Sequence, residues 1–244
     1  RTSELKNNTV CEKNEFQKGS RPMTAFEVAQ KIDISAVRTQ HTLRDIEEIV
    51  AYAKQYKFIN VHVLPSWIKV LAPMIADEPD VYVGAPCGFP SGAATTETKI
   101  IEAQQMILDG VEEMDIVMNV GRFKNREYDY VLDELKQIIA LKKSYMKTKV
   151  LIELNCLEDS ELEAACKIVI DSGADYLKTG TGWVPGNANV ERIRKIKDIV
   201  GNQMKIKAAG GIRTRAEFDE LLDIGVERFG INTKSAIEII KTFE

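Results

Sequence analysis

Short apolar runs alternate with amphipathic helical patterns along most of this 244-residue chain. Between the runs, apolar residues recur at spacings of three and four, which places them on one face of a helix. The stretch that starts at Thr42 is typical, with Thr42 as a candidate N-cap and Asp45 three residues later. The β-rich runs fall near Ile32–Ser35, Ile59–Leu64, Val81–Ala85, Met114–Asn119, Lys149–Leu154, Ala174–Thr179, Lys205–Ala209 and Arg228–Asn232.

A glycine closes three of the predicted helices, and a predicted strand follows each one. These glycines are Gly110, Gly173 and Gly225. A glycine in this place adopts the left-handed conformation that ends a helix. Repeated helix–glycine–strand units indicate right-handed crossovers and a parallel sheet. Eight predicted strands with eight intervening or following helices predict an α/β fold with a single closed (β/α)8 TIM barrel. An open doubly wound sheet is the main alternative, but no Gly-x-Gly-x-x-Gly follows the first strand.

Length and composition agree with one barrel domain. A barrel of this class takes about 250 residues, and residues 23–244 fit that length, whereas residues 1–22 are polar, unpatterned and expected to form a loose N-terminal extension. The 33 basic and 37 acidic residues are interspersed, which is unlike the basic stripe of a nucleic-acid-binding protein. No apolar run approaches the 18 or so residues of a membrane span, so neither nucleic acid nor membrane is an expected partner.

Metal and disulfide chemistry are not expected either. The four cysteines share no Cys-x-x-Cys spacing, and the chain has two histidines. These patterns speak against a zinc site and a disulfide framework. We therefore expect a reduced, cytoplasmic, metal-independent protein.

Two lysines close predicted strands directly before glycine-containing turns. Lys178 ends Ala-Asp-Tyr-Leu-Lys, and Lys207 ends Met-Lys-Ile-Lys before Ala-Ala-Gly-Gly. Catalytic groups of barrels gather at these C-terminal strand ends. A lysine held there against a second ammonium, in a partly dry pocket, has a lowered pKa and becomes a nucleophile near neutral pH. The alternative is that both side chains simply extend to solvent.

Asp115 and Asn119 lie in the fourth predicted strand and share one face of it, because strand side chains alternate. A carboxylate within an apolar strand is costly unless it is paired or hydrated. Asp115 is therefore either a functional carboxylate or a salt-bridged residue of the barrel.

The loops after the last two strands are candidates for binding phosphate. Gly210 and Gly211 follow the seventh strand, and Asn232 and Thr233 follow the eighth. Barrels often hold phosphate with these two loops and a nearby helix N-terminus, where backbone N–H groups face the anion. The alternative is an ordinary turn and helix cap.

Four segments of the chain strongly resemble the deoxyribose-phosphate aldolase family. They are Gly173–Gly182, Lys205–Arg213, Gly88–Glu97 and Glu113–Asn119, and the similarity runs from about Asp33 to the C-terminus. The resemblance implies a metal-independent class I aldolase on a TIM barrel, with no cofactor beyond a covalent imine.

The resemblance also implies residue roles. Lys178 would form the Schiff base, Lys207 would lower its pKa, and Asp115 would act as acid and base through a water. The residues expected to bind the substrate and its phosphate are Gly210, Gly211, Asn232, Thr233, Thr181 and Asn119.

Several positions depart from the family pattern. Gly180 stands where a serine is usual, and His62 stands where the second strand commonly carries cysteine. His62 is either a core histidine or a pocket residue that changes specificity. The first strand reads Asp-Ile-Ser-Ala at Asp33–Ala36, where the family usually has Asp-His-Thr-Leu or Asp-Leu-Thr-Thr. The phosphate loop ends in Asn232-Thr233, where the family commonly has Ser-Ser.

The predicted function is reversible cleavage of 2-deoxy-D-ribose 5-phosphate to D-glyceraldehyde 3-phosphate and acetaldehyde. The expected partners are thus a small sugar phosphate and an aldehyde, and a homodimer is left open. Alternatives are a Schiff-base aldolase for another sugar phosphate, a non-imine phosphate-binding isomerase, and a catalytically silent binding protein.

Overall fold

Eight parallel strands close into a barrel in chain order, and the first pairs with the last. The computed structural model describes residues 22–187 and 189–244, so the predicted extension over residues 1–22 lies outside it apart from Pro22. The strands are β1 (Ile32–Ala36), β2 (Asn60–Val63), β3 (Tyr82–Cys87), β4 (Glu113–Val117), β5 (Lys147–Leu151), β6 (Tyr176–Lys178), β7 (Lys205–Ala209) and β8 (Arg228–Gly230). The predicted (β/α)8 barrel is confirmed.

Helices connect consecutive strands and cover the outside of the barrel. They are α1 (Ala25–Ala29), α2 (Leu43–Tyr56), α3 (Ile68–Met74), α4 (Thr96–Asp109), α5 (Val120–Lys124), α6 (Tyr128–Ile139), α7 (Leu162–Ser172), α8 (Val190–Val200), α9 (Arg215–Ile224) and α10 (Thr233–Lys241). None of the helices in the described part of the chain is long and apolar enough to cross a membrane.

Local signals in the sequence fix where the helices begin and end. The carboxylate of Asp45 accepts hydrogen bonds from the backbone and the hydroxyl of Thr42, at 2.6 and 2.7 Å, as expected of a capping box. Gly110, Gly173 and Gly225 close α4, α7 and α9 with φ of 102°, 80° and 97°. These are left-handed conformations that a residue with a Cβ rarely adopts.

Three of the predicted strands run two or three residues too far at their C-terminal ends. Asn119 and Asn232 were placed in strands, but each instead caps the helix that follows, with its side chain accepting a backbone N–H. Leu154 begins a short 3₁₀ helix rather than ending β5. Asparagine competes well for helix N-termini because its side chain satisfies an N–H that the helix leaves unpaired.

The strands alternate between two environments. Outward residues such as Ile34, Val61 and Ile206 are fully buried under the helices. Inward residues are largely polar or charged. Arg228 on β8 contacts Glu113 on β4, and because these strands lie on opposite sides of the barrel, this contact crosses the interior. The interior polar residues are Asp33, Asn60, His62, Glu113, Asp115, Lys149, Lys178, Lys207 and Arg228.

Candidate active site

A cavity of about 540 Å³ opens at the C-terminal end of the barrel, where the strand ends and the loops that follow them meet. Lys178, Lys207 and His62 lie at its inner end. Gly210, Gly211, Asn232, Thr233 and Thr181 also line it. The structure therefore brings both strand-end lysines and the candidate phosphate loops to one cavity, as the sequence predicted.

Asp115 joins the two lysines. Its Oδ2 atom lies 2.7 Å from Nζ of Lys178 and 2.9 Å from Nζ of Lys207. Lys178 and Lys207 are directly paired in register on β6 and β7. All three side chains are buried, and Asp115 has no exposed surface. Proton exchange between the amine and the carboxylate therefore needs no movement of the barrel.

A second layer of ion pairs supports these three residues from below. Nζ of Lys149 lies 2.6 Å from Oε2 of Glu113 and 3.1 Å from Oδ1 of Asp115. Arg228 lies 2.7 Å from Asp33 and 3.1 Å from Glu113. Asp33 also contacts Nζ of Lys207. We call the seven residues Asp33, Glu113, Asp115, Lys149, Lys178, Lys207 and Arg228 the central cluster.

The charges of the central cluster balance when Lys178 is neutral. Asp33, Glu113 and Asp115 supply three negative charges, and Lys149, Lys207 and Arg228 supply three positive charges. A proton on Lys178 adds a fourth positive charge in a buried site. Because an uncompensated buried charge is strongly unfavourable, the cluster favours the free amine at this position.

The pKa of Lys178 is accordingly lowered to about 8. Burial is the largest cause, and the positive charges of Lys207 and Lys149 add to it, while Asp115 opposes the shift. Burial would raise the pKa of Asp115, but Lys149, Lys178 and Lys207 together hold it well below its usual value. The same holds for Asp33, which remains a carboxylate beside Lys207 and Arg228.

The predicted phosphate loops lie at one side of the cavity. Gly210 and Gly211 have φ of 101° and 82°. A Cβ on Gly211 would lie 2.6 Å from Oδ1 of Asn187, so the turn requires glycine there. Thr233 is the first residue of α10 and lines the cavity. The side chain of Asn232 is engaged as the helix cap, with Oδ1 accepting the N–H of Ser235 at 3.0 Å.

Two other predicted binding residues are held by the protein itself. The hydroxyl of Thr181 donates to Glu153 and accepts the N–H of Trp183 at 2.9 Å. Asn119 lies apart from the residues that line the cavity, and its side-chain oxygen accepts the N–H of Arg122 at 3.2 Å. Substrate binding by either residue stays a prediction.

Glu153 gives a physical reason for the unusual Gly180. A Cβ on Gly180 would lie 3.0 Å from Oε1 of Glu153. That carboxylate also accepts the N–H of Thr181 at 3.2 Å and orders the loop after β6. A larger residue at position 180 would have to displace it.

Four residues of the central cluster were not recognised as site residues in the sequence. Asp33, Glu113, Lys149 and Arg228 are all buried, with exposures of 5% or less. Their signal was partial: an apolar residue directly follows each of the four, but only Asp33 is also preceded by one. The described residues contain no group of three or more His, Cys, Asp or Glu side chains that could hold a metal ion.

Comparisons with known proteins point to one family. The chain is 39% identical over 215 residues to the deoxyribose-phosphate aldolase of Rhizobium meliloti, covering 88% of this chain and 86% of that protein. It is 35% identical over 234 residues to that of Klebsiella pneumoniae, covering 95% of this chain and 94% of the relative. No family model matches the chain.

Solved structures give the same result. A protein described as "QR15, an Aldolase" matches with a TM-score of 0.82 at 33% identity, covering 88% of this chain and 95% of that one. The deoxyribose phosphate aldolase of Aeropyrum pernix, described as having a unique tetrameric structure, matches with a TM-score of 0.81 at 25% identity. That match covers 90% of this chain and 92% of the Aeropyrum chain.

Proposed function

The chain belongs to the deoxyribose-phosphate aldolase family, and on that premise we propose that it reversibly cleaves 2-deoxy-D-ribose 5-phosphate. The products are D-glyceraldehyde 3-phosphate and acetaldehyde. The observation that carries the proposal is the contact of one Asp115 oxygen with both Lys178 and Lys207 at the inner end of the cavity. An amine, its general acid and base, and a second cation are the parts that an imine mechanism needs.

Lys178 is the nucleophile in this mechanism. Its free amine attacks C1 of the open-chain sugar and forms a carbinolamine, and loss of water then gives an iminium ion. The positive iminium nitrogen accepts the electron pair of the C2–C3 bond when that bond breaks. The balanced charge of the central cluster supplies the free amine, because protonating Lys178 would leave one cation uncompensated.

Asp115 moves the protons of the imine steps. Its Oδ2 atom lies 2.7 Å from Nζ of Lys178, within reach of the proton that leaves the attacking amine. With a water it protonates the carbinolamine hydroxyl and later the enamine carbon. Lys207 keeps the carboxylate ionised and disfavours the protonated form of Lys178.

The phosphate lies at the glycine side of the cavity in this proposal. Positive φ at Gly210 and Gly211 turns the loop after β7 toward the space beside Thr233 and the start of α10. Free N–H groups in the first turn of a helix favour an anion. The hydroxyl of Thr233 is the side-chain donor that the helix cap leaves available, since Asn232 is bonded to Ser235.

A second candidate keeps the imine chemistry and changes the sugar phosphate. It is favoured by two departures from the family pattern: His62, which lines the cavity, and Gly180, which lies beside the Glu153 carboxylate in the loop after β6. Both features alter the polar groups near Lys178 without changing the lysine–aspartate contact.

Cytoplasmic location and a homodimer stay predictions, the latter to be checked by sedimentation of the purified protein.

A panel of sugar phosphates separates the two candidates. Purified protein is incubated with 2-deoxy-D-ribose 5-phosphate and, separately, with other aldose and ketose phosphates, and aldehyde release is followed. The first candidate requires the highest kcat/KM for 2-deoxy-D-ribose 5-phosphate. Faster cleavage of another sugar phosphate supports the second candidate, and cleavage of none of them would reject both.

A further inference from the structure

His62 has one ring nitrogen fixed by the protein and one that is free. The residue lies on β2 with 3% of its surface exposed and lines the cavity beside Lys178. Nδ1 lies 3.1 Å from Oδ1 of Asn60. Nε2 has no hydrogen-bond partner among the described residues and lies 3.5 Å from Oδ2 of Asp115. Buried polar atoms without a partner are rare and call for an explanation.

The hydrogen-bond network fixes which nitrogen carries the hydrogen. The amide nitrogen of Asn60 donates to Oε2 of Glu113 at 3.1 Å, so its oxygen must face His62. Turning the amide over would place its oxygen against a carboxylate. Nδ1 of His62 therefore donates, and Nε2 holds a lone pair.

The surroundings keep the ring in place and uncharged. A Cβ on Gly84 would lie 2.2 Å from Nδ1, so the ring occupies the space that this glycine leaves open. Burial lowers the pKa of His62 well below its usual value, and the cations Lys207, Lys178 and Lys149 lower it further against the opposing charge of Asp115. The result is a neutral imidazole whose acceptor nitrogen lies near Asp115, in a cavity that Lys178 also lines.

We infer that Nε2 of His62 is the base that removes the proton from the substrate hydroxyl on C3 during carbon–carbon cleavage. The inference rests on the proposed function, because this hydroxyl is at the inner end of the cavity only when the sugar is bound as an imine on Lys178. The C3 O–H bond breaks and its proton goes to Nε2. The oxygen electrons form the C=O of the leaving aldehyde, and the C2–C3 pair forms the enamine double bond as the C=N electrons return to nitrogen.

This step leaves the charge of the site unchanged. The iminium nitrogen loses its positive charge as the imidazole gains one. The total charge beside the central cluster is therefore the same before and after cleavage. The imidazolium is next to the carboxylate of Asp115, which stabilises it. It then passes this proton through a water to Asp115, which delivers it to the enamine carbon.

Two reactions of one enzyme separate this role from a structural one. Exchange of the methyl protons of acetaldehyde in D₂O needs Lys178 and Asp115 but involves no C3 hydroxyl. Cleavage of 2-deoxy-D-ribose 5-phosphate needs that hydroxyl as well. We compare both rates in the wild type, in His62→Leu and in His62→Gln. Glutamine keeps a hydrogen-bond acceptor of similar reach but cannot take up a proton.

We expect kcat for cleavage to fall about 100-fold or more in both variants, since a general base contributes on the order of 10²–10⁴. Exchange should stay close to the wild-type rate because it involves no C3 hydroxyl, and this also shows that the site is folded. Wild-type cleavage in either variant, or parallel loss of exchange and cleavage, overturns the inference. A wild type that exchanges acetaldehyde but cleaves no sugar phosphate refutes the proposed substrate instead.

Discussion

Lys178 and Lys207 face each other in register on adjacent strands, and their Nζ atoms contact the same oxygen of Asp115. One carboxylate carries a single negative charge and cannot neutralise two ammonium ions. Lys207 also contacts Asp33, whereas Lys178 has no second ion pair among the described residues. Lys178 therefore has the less compensated position, which favours its free amine, and two lysines in similar positions acquire different roles.

The rate of the enzyme should rise with pH until the amine of Lys178 is free. The pKa of Lys178 is lowered to about 8, so the reactive fraction increases tenfold per pH unit below that value and levels off above it. A profile of kcat/KM against pH should show a rising limb near pH 8. A profile that is flat from pH 6 to 9, or a limb near the ordinary lysine value of about 10.4, would contradict this assignment.

Replacing Lys207 by methionine should move the rising limb to higher pH. With Lys207 gone, three carboxylates face two permanent cations, and Lys178 gains a proton to balance them. A rise of about two units in the pKa of Lys178 lowers kcat/KM at pH 7 roughly 100-fold. Much of the lost activity should be recovered at pH 9–10. As a control, Lys99→Met removes another buried lysine, whose partner Glu134 lies outside the central cluster, and should leave the limb in place.

The two lysines should also have opposite effects on stability. Lys178→Met leaves the central cluster with three charges of each sign, and should raise the free energy of unfolding at pH 7 by about 1–3 kcal/mol. Lys207→Met removes an ion-pair partner from both Asp33 and Asp115, and should lower the free energy of unfolding by about 3–5 kcal/mol. Urea denaturation of the two variants and wild type measures both changes. If both variants were destabilised equally, the charge balance proposed for the cluster would be wrong.

Thr233→Val tests the phosphate side of the cavity. The variant keeps the shape of the side chain and removes the hydroxyl that we assign to the phosphate. The anion is bound equally in ground and transition states, so the loss should appear in KM. A lost charge-assisted hydrogen bond of roughly 1.5–3 kcal/mol raises KM about tenfold or more. Unphosphorylated 2-deoxy-D-ribose serves as the control substrate, and equal losses on both sugars would assign Thr233 to the structure of the barrel.

The barrel could be predicted because its signals are local. The capping box at Thr42 and the left-handed glycine Gly173 are each read from a few neighbouring residues, and both are present in the structure. Strand ends were less predictable, because the apolar residues Met118 and Ile231 continue the strand pattern up to the asparagines that cap the following helices.

The interior charges could not be paired from the sequence. Arg228 and Glu113 are 115 residues apart and meet across the barrel, so their contact depends on closure of the sheet. The free nitrogen of His62 depends on the position of Asn60, two residues earlier, and on Glu113 from another strand. Lys178 and Lys207 could be picked out as candidate catalytic residues from the sequence. The charges that surround them could be paired only once the barrel was known.

Reductive trapping tests the central claim most directly. The protein is incubated with acetaldehyde, reduced with borohydride, digested and analysed by mass spectrometry, with Lys178→Met and Lys207→Met treated in parallel. We predict an ethyl group on Lys178 in the wild type, no stable adduct in Lys178→Met, and slower trapping at pH 7 in Lys207→Met. An adduct on another lysine while Lys178 stays unmodified, or equal labelling of wild type and Lys178→Met, would contradict the assignment of Lys178 as the imine-forming residue.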